Sequence, residues 1–500
     1  PDYADAYNNM GISLKDKGDL DASIESYKQA IKIKPDYQLA RAAKLHQQAM
    51  ICDWAGIEED RHLIPELGTL TQHVGSFALL SLEDVPDRHR LRSETYAKNM
   101  FPQTQLPLPP RPKQKPSRLR IGYFSPDFQD HPVAQMIEGI LRHHDRNKFE
   151  IFAYSFGQKN DTEMRRKIES AVDTFRDVKS INAKDIARLA RTDLLDIAID
   201  LTGYTNNSKT EIFNQRAAPI QINYLGYPGT MGADFIDYII ADKTIIPDAM
   251  ERYYSEKIIF MPNSYQPTND TLVISKDIPS KTDLGLPENA FVFCAINQGY
   301  KINPTEFDIW MRLLTKVPGS VLWLKAQNEC MIVNLKKEAE RRGVDSPRLV
   351  FAKRISHEQY LAQFKQADLY LDTFNYNAGT TASDVLMAGL PIVTKMGNSY
   401  ASRMAASLLG AADMIDLITN TPSEYERLAL ELATMPIKLR EVRDLLQRNI
   451  KTTAIFDTKL YTRHLEQGYQ QAYDNYYSGN SAKNIEIKIQ AIQNNKDVDL

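Results

Sequence analysis

The chain is short of several things. It has three cysteines in 500 residues (Cys52, Cys294 and Cys330), an odd number without metal-ligand spacing. That excludes a disulfide framework and fits a reducing compartment. Long apolar runs are missing: the longest, such as Phe291 to Ile296, are strand-sized. A bilayer needs about 18–20 consecutive apolar residues, so no membrane partner is expected. Charge of one sign is missing too. The 61 Lys and Arg nearly balance 64 Asp and Glu, for a net charge of -3. This excludes the broad basic surface of a dedicated nucleic-acid binder. The opening residues, Pro1-Asp2-Tyr3-Ala4-Asp5, have neither a basic n-region nor an apolar h-region. No secretory signal is read there, and a cytoplasmic protein is expected. Neither a Walker-type phosphate loop nor Gly-x-Ser-x-Gly occurs.

What is present is the composition of a folded protein. The hydrophobic share is 43% and the charged share 25%, which excludes global disorder. Single cores rarely outgrow about 250–300 residues, so at least two domains are expected. Pro1-Asp2-Tyr3 recurs as Pro35-Asp36-Tyr37, at the spacing of a tetratricopeptide unit. Gly11 and Ala30 stand where two antiparallel helices must approach. Tyr27 lies between them, Lys17-Gly18-Asp19 is the turn, and Leu14, Ile24 and Ile31 fill the seam. One repeat cannot bury its face alone. A chain beginning at a repeat boundary is therefore expected to belong to a longer array. Leu39 to Ile51 reads as a transition helix leading into Cys52-Asp53-Trp54, and helical segments follow to about Asn99. Six prolines between Phe101 and Arg118 then make a semi-extended linker.

Beyond the linker, short apolar runs alternate with amphipathic stretches. Strands are expected at Leu119–Ser125, Phe149–Ser155, Ile197–Leu201, Ile220–Tyr224 and Tyr238–Ala241. A second set falls at Phe291–Ile296, Ser320–Leu324, Leu349–Phe351, Leu369–Asp372 and Pro391–Thr394, with helices between. This is the α/β signature of two parallel sheets in tandem, separated by a polar break at Pro262–Pro287. Ligands of such sheets bind at strand C-terminal ends. The parts are residues 1–51 (repeat and transition helix), 52–118 (helical region and linker), 119–270 (first lobe), 271–479 (second lobe) and 480–500 (polar tail).

Several residues could do chemistry. Asp372 to Asp384 joins a strand to a helix. There Gly379 permits close backbone approach, Thr380 or Thr381 can cap the helix, and the helix end suits a diphosphate. Asp384, one turn in, can accept from ribose hydroxyls. An ordinary capped turn with an exposed Asp has the same spacing. Lys301 follows the first strand of the second half and can neutralise phosphate, or is a surface lysine. His131 follows the first strand of the first half and can accept a hydroxyl proton, or is structural. Asp193, Asp196 and Asp200 flank another strand, and Leu225 to Thr230 is a glycine-containing turn. Asp497-Val498-Asp499 has an Asp-x-Asp metal-binding form, but it stands in a polar tail with no strand before it and is rejected. No other His/Cys/Asp/Glu cluster has metal spacing, so no metal is expected.

In chain order, the repeat, Cys52-Asp53-Trp54, Arg120-Ile-Gly-Tyr, Asp127-Phe128, His131-Pro132, Pro219-Ile-Gln, Leu225-Gly-Tyr-Pro-Gly-Thr, Asp237-Tyr-Ile-Ile, Tyr254-Ser-Glu-Lys, Lys301-Ile, Val321-Leu-Trp-Leu and Thr380-Thr381 resemble the protein O-GlcNAc transferase family. Plant SPINDLY-type protein O-fucosyltransferases belong to the same family. The resemblance spans Pro1 to about Gly479. It implies a GT-B glycosyltransferase: two Rossmann-like lobes preceded by an α-helical tetratricopeptide segment. It implies an inverting, metal-independent reaction that moves GlcNAc from UDP-GlcNAc to Ser/Thr hydroxyls of proteins, with no cofactor. The repeats would present the acceptor polypeptide and offer a route to homo-oligomers. By position, Gln298 and Lys301 contact the nucleotide and diphosphate, Thr380 and Thr381 the phosphates, and Asp384 the ribose. His131 matches the active-site histidine and Asp193 an aspartate acting through water; the resemblance leaves open which of the two is the base. Gly226 and Pro228 fall near the sugar. The chain departs from the animal enzymes in three ways. Gly379 replaces a His, as in the SPINDLY branch. His357 and Tyr360 stand where Lys and His lie near the uracil. The large domain inserted between the halves is missing. GDP-fucose, or another nucleotide sugar, is the alternative donor; a non-catalytic repeat scaffold is the alternative of another class.

Overall fold

The computed structural model describes residues 3–102, 107, 110–158, 160–272, 274–352 and 357–488. Part of the proline-rich linker, the Asp497–Asp499 motif and the side chain of His357 lie outside these residues.

The repeat is a helical hairpin, Ala4–Asp16 and Leu20–Ile33. Its glycine is needed for contact: a Cβ at Gly11 would lie 2.6 Å from the Tyr27 ring. Asp19 caps the second helix through the amide of Ala22. The transition helix runs Gln38–Met50, and Asp53 caps the short helix Trp54–Asp60.

Fourteen strands lie among the described residues. They are β1 (Leu119–Ser125), β2 (Phe149–Ser155), β3 (Thr174–Asp177), β4 (Ile197–Asp200), β5 (Ile220–Asn223), β6 (Tyr238–Ala241), β7 (Lys257–Phe260), β8 (Val292–Ala295), β9 (Val321–Lys325), β10 (Leu349–Ala352), β11 (Leu369–Leu371), β12 (Ile392–Lys395), β13 (Ile418–Thr419) and β14 (Ile485–Glu486). One sheet has the order β14-β7-β6-β5-β4-β1-β2-β3, the other β10-β9-β8-β11-β12-β13. The strand pairings, such as β1 with β2 and β8 with β11, are parallel. In the first sheet, side chains alternate between two cores. Ile121, Tyr123, Ile197 and Ile199 face one; Phe124 and Ala198 face the other, as the two-residue period of a strand requires.

Chain order and spatial order part company at the end. The helix Thr458–Tyr477 follows the second sheet in sequence, yet it packs on the first. Tyr461 Oη lies 2.8 Å from Tyr224 Oη, and Tyr469 Oη 3.2 Å from Tyr123 Oη. The polar segment after Gly479 contributes β14, which pairs with β7. Ile485 and Ile487 enter the core of that sheet, a short alternation that the surrounding polar residues concealed.

Candidate active site

In both sheets the strand order reverses beside the first strand: between β1 and β4, and between β8 and β11. An open parallel sheet leaves a crevice at that point, outside the strand C-terminal ends. The loops after β8 and β11 line the crevice of the second sheet.

Lys301 sits in the Gly299–Lys301 turn after β8. The Gly299 amide donates to Gln327 Oε1 at 2.8 Å. The transition segment grips the same turn from the other side. Trp54 Nε1 donates to the Ile302 carbonyl at 3.2 Å, Cys52 Sγ lies 3.6 Å from the Gly299 carbonyl, and the His46 and Tyr300 rings are 5.5 Å apart. A Cβ at Gly299 would fall 2.6 Å from the Met50 carbonyl oxygen. So placed, the Lys301 ammonium donates to the Asn377 carbonyl at 2.9 Å and lies 4.1 Å from the Tyr376 ring centre. Burial pulls its pKa down to about 8; Asp372 opposes that fall and Lys325 adds to it. Asp372, fully buried, accepts from the Thr373 and Ala378 amides and from Thr394 Oγ1, at 2.9, 2.8 and 2.7 Å. Burial nonetheless pushes it up to about 6.

After β11, the helix Thr380–Met387 begins at Gly379 without a side-chain cap. Neither Thr380 nor Thr381 caps it, contrary to what the sequence predicts. Both are instead the first residues of the helix, where a hydroxyl cannot turn back onto the opening amides. Thr380 Oγ1 points at Met136 Sδ of the first lobe, 3.4 Å away. The first-turn amides are thus left to the crevice, with the positive end of the helix behind them. Asp384 lines the same space. It is nearly buried, and burial alone pushes it up to about 7; among the described residues no group donates a hydrogen bond to it.

These groups share a cleft of about 300 Å³ lined by Ile296, Asn297, Gln298, Lys301, Lys325, Tyr360, Thr380, Thr381 and Asp384, and by Pro132 and Gln135 across from them. The last two belong to the first-lobe helix Pro132–His143, so both lobes form the cleft. Gln298, Lys301, Tyr360, Thr380, Thr381 and Asp384 are therefore together, with Gly379 at the helix start. Lys325 was missed by the sequence reading. Its signal was a basic residue closing the strand beside β8.

His131 caps the Pro132–His143 helix. Its Nδ1 accepts from the Val133 amide at 3.3 Å and lies 3.6 Å from Asp127 Oδ2; 41% of its side chain is exposed. It stands at the cleft rim, next to Pro132. Asp193 is not brought to the cleft. Arg176 clasps it at 2.6 and 3.2 Å, and Tyr154 donates to it at 2.6 Å. Asp196 accepts from the Arg120 amide, and Asp200 from the amides of Thr202 and Gly203; both hold backbone. The Gly226–Pro228 turn follows β5 outside the 300 Å³ space. Gly226 is dictated by backbone, since a Cβ there would lie 2.1 Å from the Leu201 carbonyl oxygen. His357 opens the helix His357–Gln363.

Comparison with known proteins gives a consistent set. The family described as Glycosyl transferase family 41 matches residues 97–275 and 267–465, and a tetratricopeptide repeat matches residues 4–37. A protein of Arabidopsis thaliana named probable UDP-N-acetylglucosamine–peptide N-acetylglucosaminyltransferase SEC is 34% identical over 376 residues, covering 74% of this chain and 38% of that protein. A UDP-N-acetylglucosamine–peptide N-acetylglucosaminyltransferase of Caenorhabditis elegans is 28% identical over 479 residues, covering 73% and 42%. The chain thus spans about two-fifths of the length of these curated relatives. The solved structure of a Thermobaculum terrenum O-GlcNAc transferase mutant superposes with a TM-score of 0.78 at 26% identity, over 96% of this chain and 86% of that one.

Proposed function

The chain belongs to glycosyl transferase family 41, and from that premise we propose that it moves GlcNAc from UDP-GlcNAc to Ser/Thr hydroxyls of polypeptides, with inversion at the sugar carbon. The observation that carries this is convergence: Lys301, the uncapped start of the Thr380 helix and Asp384 meet at the strand reversal of the second sheet, facing a helix of the first lobe. A nucleoside diphosphate has the anion for the first two and the ribose for the third.

The reaction needs a leaving group and a nucleophile. The acceptor oxygen attacks the anomeric carbon as the bond from that carbon to the diphosphate oxygen breaks. Negative charge grows on the departing UDP, where Lys301 and the helix amides receive it. A single well-placed donor at such a position contributes about 10²–10³ in rate. Lys301 supplies this positive charge itself, so no metal is assigned to the site. The hydroxyl proton needs an acceptor. His131, half-exposed at the rim, fits that role better than Asp193, whose carboxylate is occupied by Arg176. The Asp127 carboxylate, 3.6 Å from Nδ1, faces the positive charge that the ring acquires when it takes the proton. The tetratricopeptide segment presents the acceptor chain.

No helix among the described residues is long and apolar enough to cross a membrane. The test compares UDP with GDP in thermal melts, then measures transfer of labelled GlcNAc to Ser/Thr peptides. UDP should raise the melting temperature, because a ligand stabilises the state it binds. Stabilisation by GDP alone, or by neither nucleotide, would overturn the assignment.

A further inference from the structure

Lys325 closes β9, the neighbour of β8, and reaches the cleft wall beside Lys301. It is half-buried, and among the described residues it has neither a carboxylate within ion-pair distance nor a hydrogen-bond acceptor. Lysines sunk in protein are normally paired. Lys44, elsewhere in the chain, is buried too, but it sits 2.8 Å from Asp60. Lys325 has instead a like-charged neighbour, Lys301.

The charge count in the cleft points the same way. The diphosphate of a nucleotide sugar brings two negative charges. Against them stand one ammonium, already shared with Asp372, and a helix end equivalent to about half a charge. Asp384 adds a further carboxylate to the wall. The balance lacks a cation, and an unpaired one is present.

We propose that Lys325 is a binding residue for the donor's diphosphate, completing with Lys301 a pair of cations around it. This rests on the nucleotide-sugar reading above. It assigns Lys325 to the phosphates and not to the base, because a nucleobase edge offers no charge to answer a desolvated ammonium. Lys325→Met removes the charge at similar length, and Lys325→Arg keeps it.

Calorimetry with UDP and with uridine is the test. Charge-assisted hydrogen bonds are among the strong ones. Lys325→Met should weaken UDP binding by about ten- to a hundredfold, while uridine binding changes less than about twofold. Lys325→Arg should stay within a few-fold of wild type for both. Without ligand, Lys325→Met should melt no lower than wild type, since it relieves a half-buried unpaired charge. Should it fail to fold, Lys325→Gln gives the same readout. Lys301 loses a like charge when Lys325 goes, so the alkaline limb of UDP binding should also move to higher pH. Wild-type protein that ignores UDP overturns the donor reading and this inference together. Wild-type protein that binds UDP, with Lys325→Met binding it equally or losing uridine equally, overturns this inference alone.

Discussion

Lys301→Met should make the protein more stable and unable to hold its donor. The ammonium falls from an ordinary 10.5 to about 8 in the fold, and at about 1.4 kcal/mol per tenfold that is a cost of about 3 kcal/mol. The cost is fully present below pH 8, where folded and unfolded lysine are both protonated. It fades as pH climbs toward 10.5, where both are neutral; at pH 9.5 it is down to about 1.4 kcal/mol. Methionine removes the charge but abandons the Asn377 carbonyl, a loss of about 1 kcal/mol. It also leaves Asp372 to its three remaining donors. The net expectation at pH 7 is a gain of about 1–2 kcal/mol. UDP reverses the order: at a hundred times its dissociation constant it adds about 2.7 kcal/mol to wild type and little to the variant. Melting curves at pH 7 and pH 9.5, with and without UDP, decide the matter. The curves should cross on adding UDP, and the unliganded advantage should shrink at the higher pH. An unliganded variant less stable than wild type at pH 7, or an equal response to UDP, refutes the reasoning.

Asp384→Asn should also stabilise the unliganded protein at pH 8. Burial raises that carboxyl to about 7, so the destabilisation is fully present above pH 7 and lost as pH falls toward 4; donor affinity measured by calorimetry should drop about tenfold. His131→Ala should leave UDP binding within about twofold while transfer falls by about 10²–10⁴, because the ring stands at the rim and off the cleft wall; a matching loss of UDP affinity would refute the role. Trp54→Phe keeps an aromatic ring but removes the donor to Ile302, and should cost about 1 kcal/mol while raising the Michaelis constant for the donor; an unchanged donor affinity in Trp54→Phe would show that the turn holds without that bond.

The framework was legible because both sheets announce themselves locally. Apolar runs bounded by turn residues marked ten of the strands, and the 34-residue recurrence marked the repeat. Three strands of the first sheet escaped. β3 is Thr-Phe-Arg-Asp with little apolar content, β7 is a four-residue run directly before the polar break at Pro262, and β14 is two residues long in a polar tail. The cleft was legible in part. Lys301, Thr380, Thr381 and Asp384 sit at strand ends, a place that sequence order exposes. Lys325 sits at such a place too, but its meaning depends on what is absent around it, and a missing partner has no sequence signature. Asp193 shows the converse. Its position matched the family resemblance, but Arg176 and Tyr154, from neighbouring strands, hold the carboxylate.

The grip of residues 46–54 on the Lys301 turn has a consequence for modularity. Repeat helices touch chiefly their neighbours, and here the hairpin Ala4–Ile33 reaches the second lobe through an exposed contact between Cys330 and Asp21. Adding, removing or exchanging repeats on that side is therefore expected to leave the cleft intact. The helix Gln38–Met50 cannot be exchanged so freely, because its far end accepts from Asn328 and backs the turn that carries Lys301. The interchangeable cassette ends before Gln38, inside the 1–51 part that the sequence marks off as repeat and transition helix.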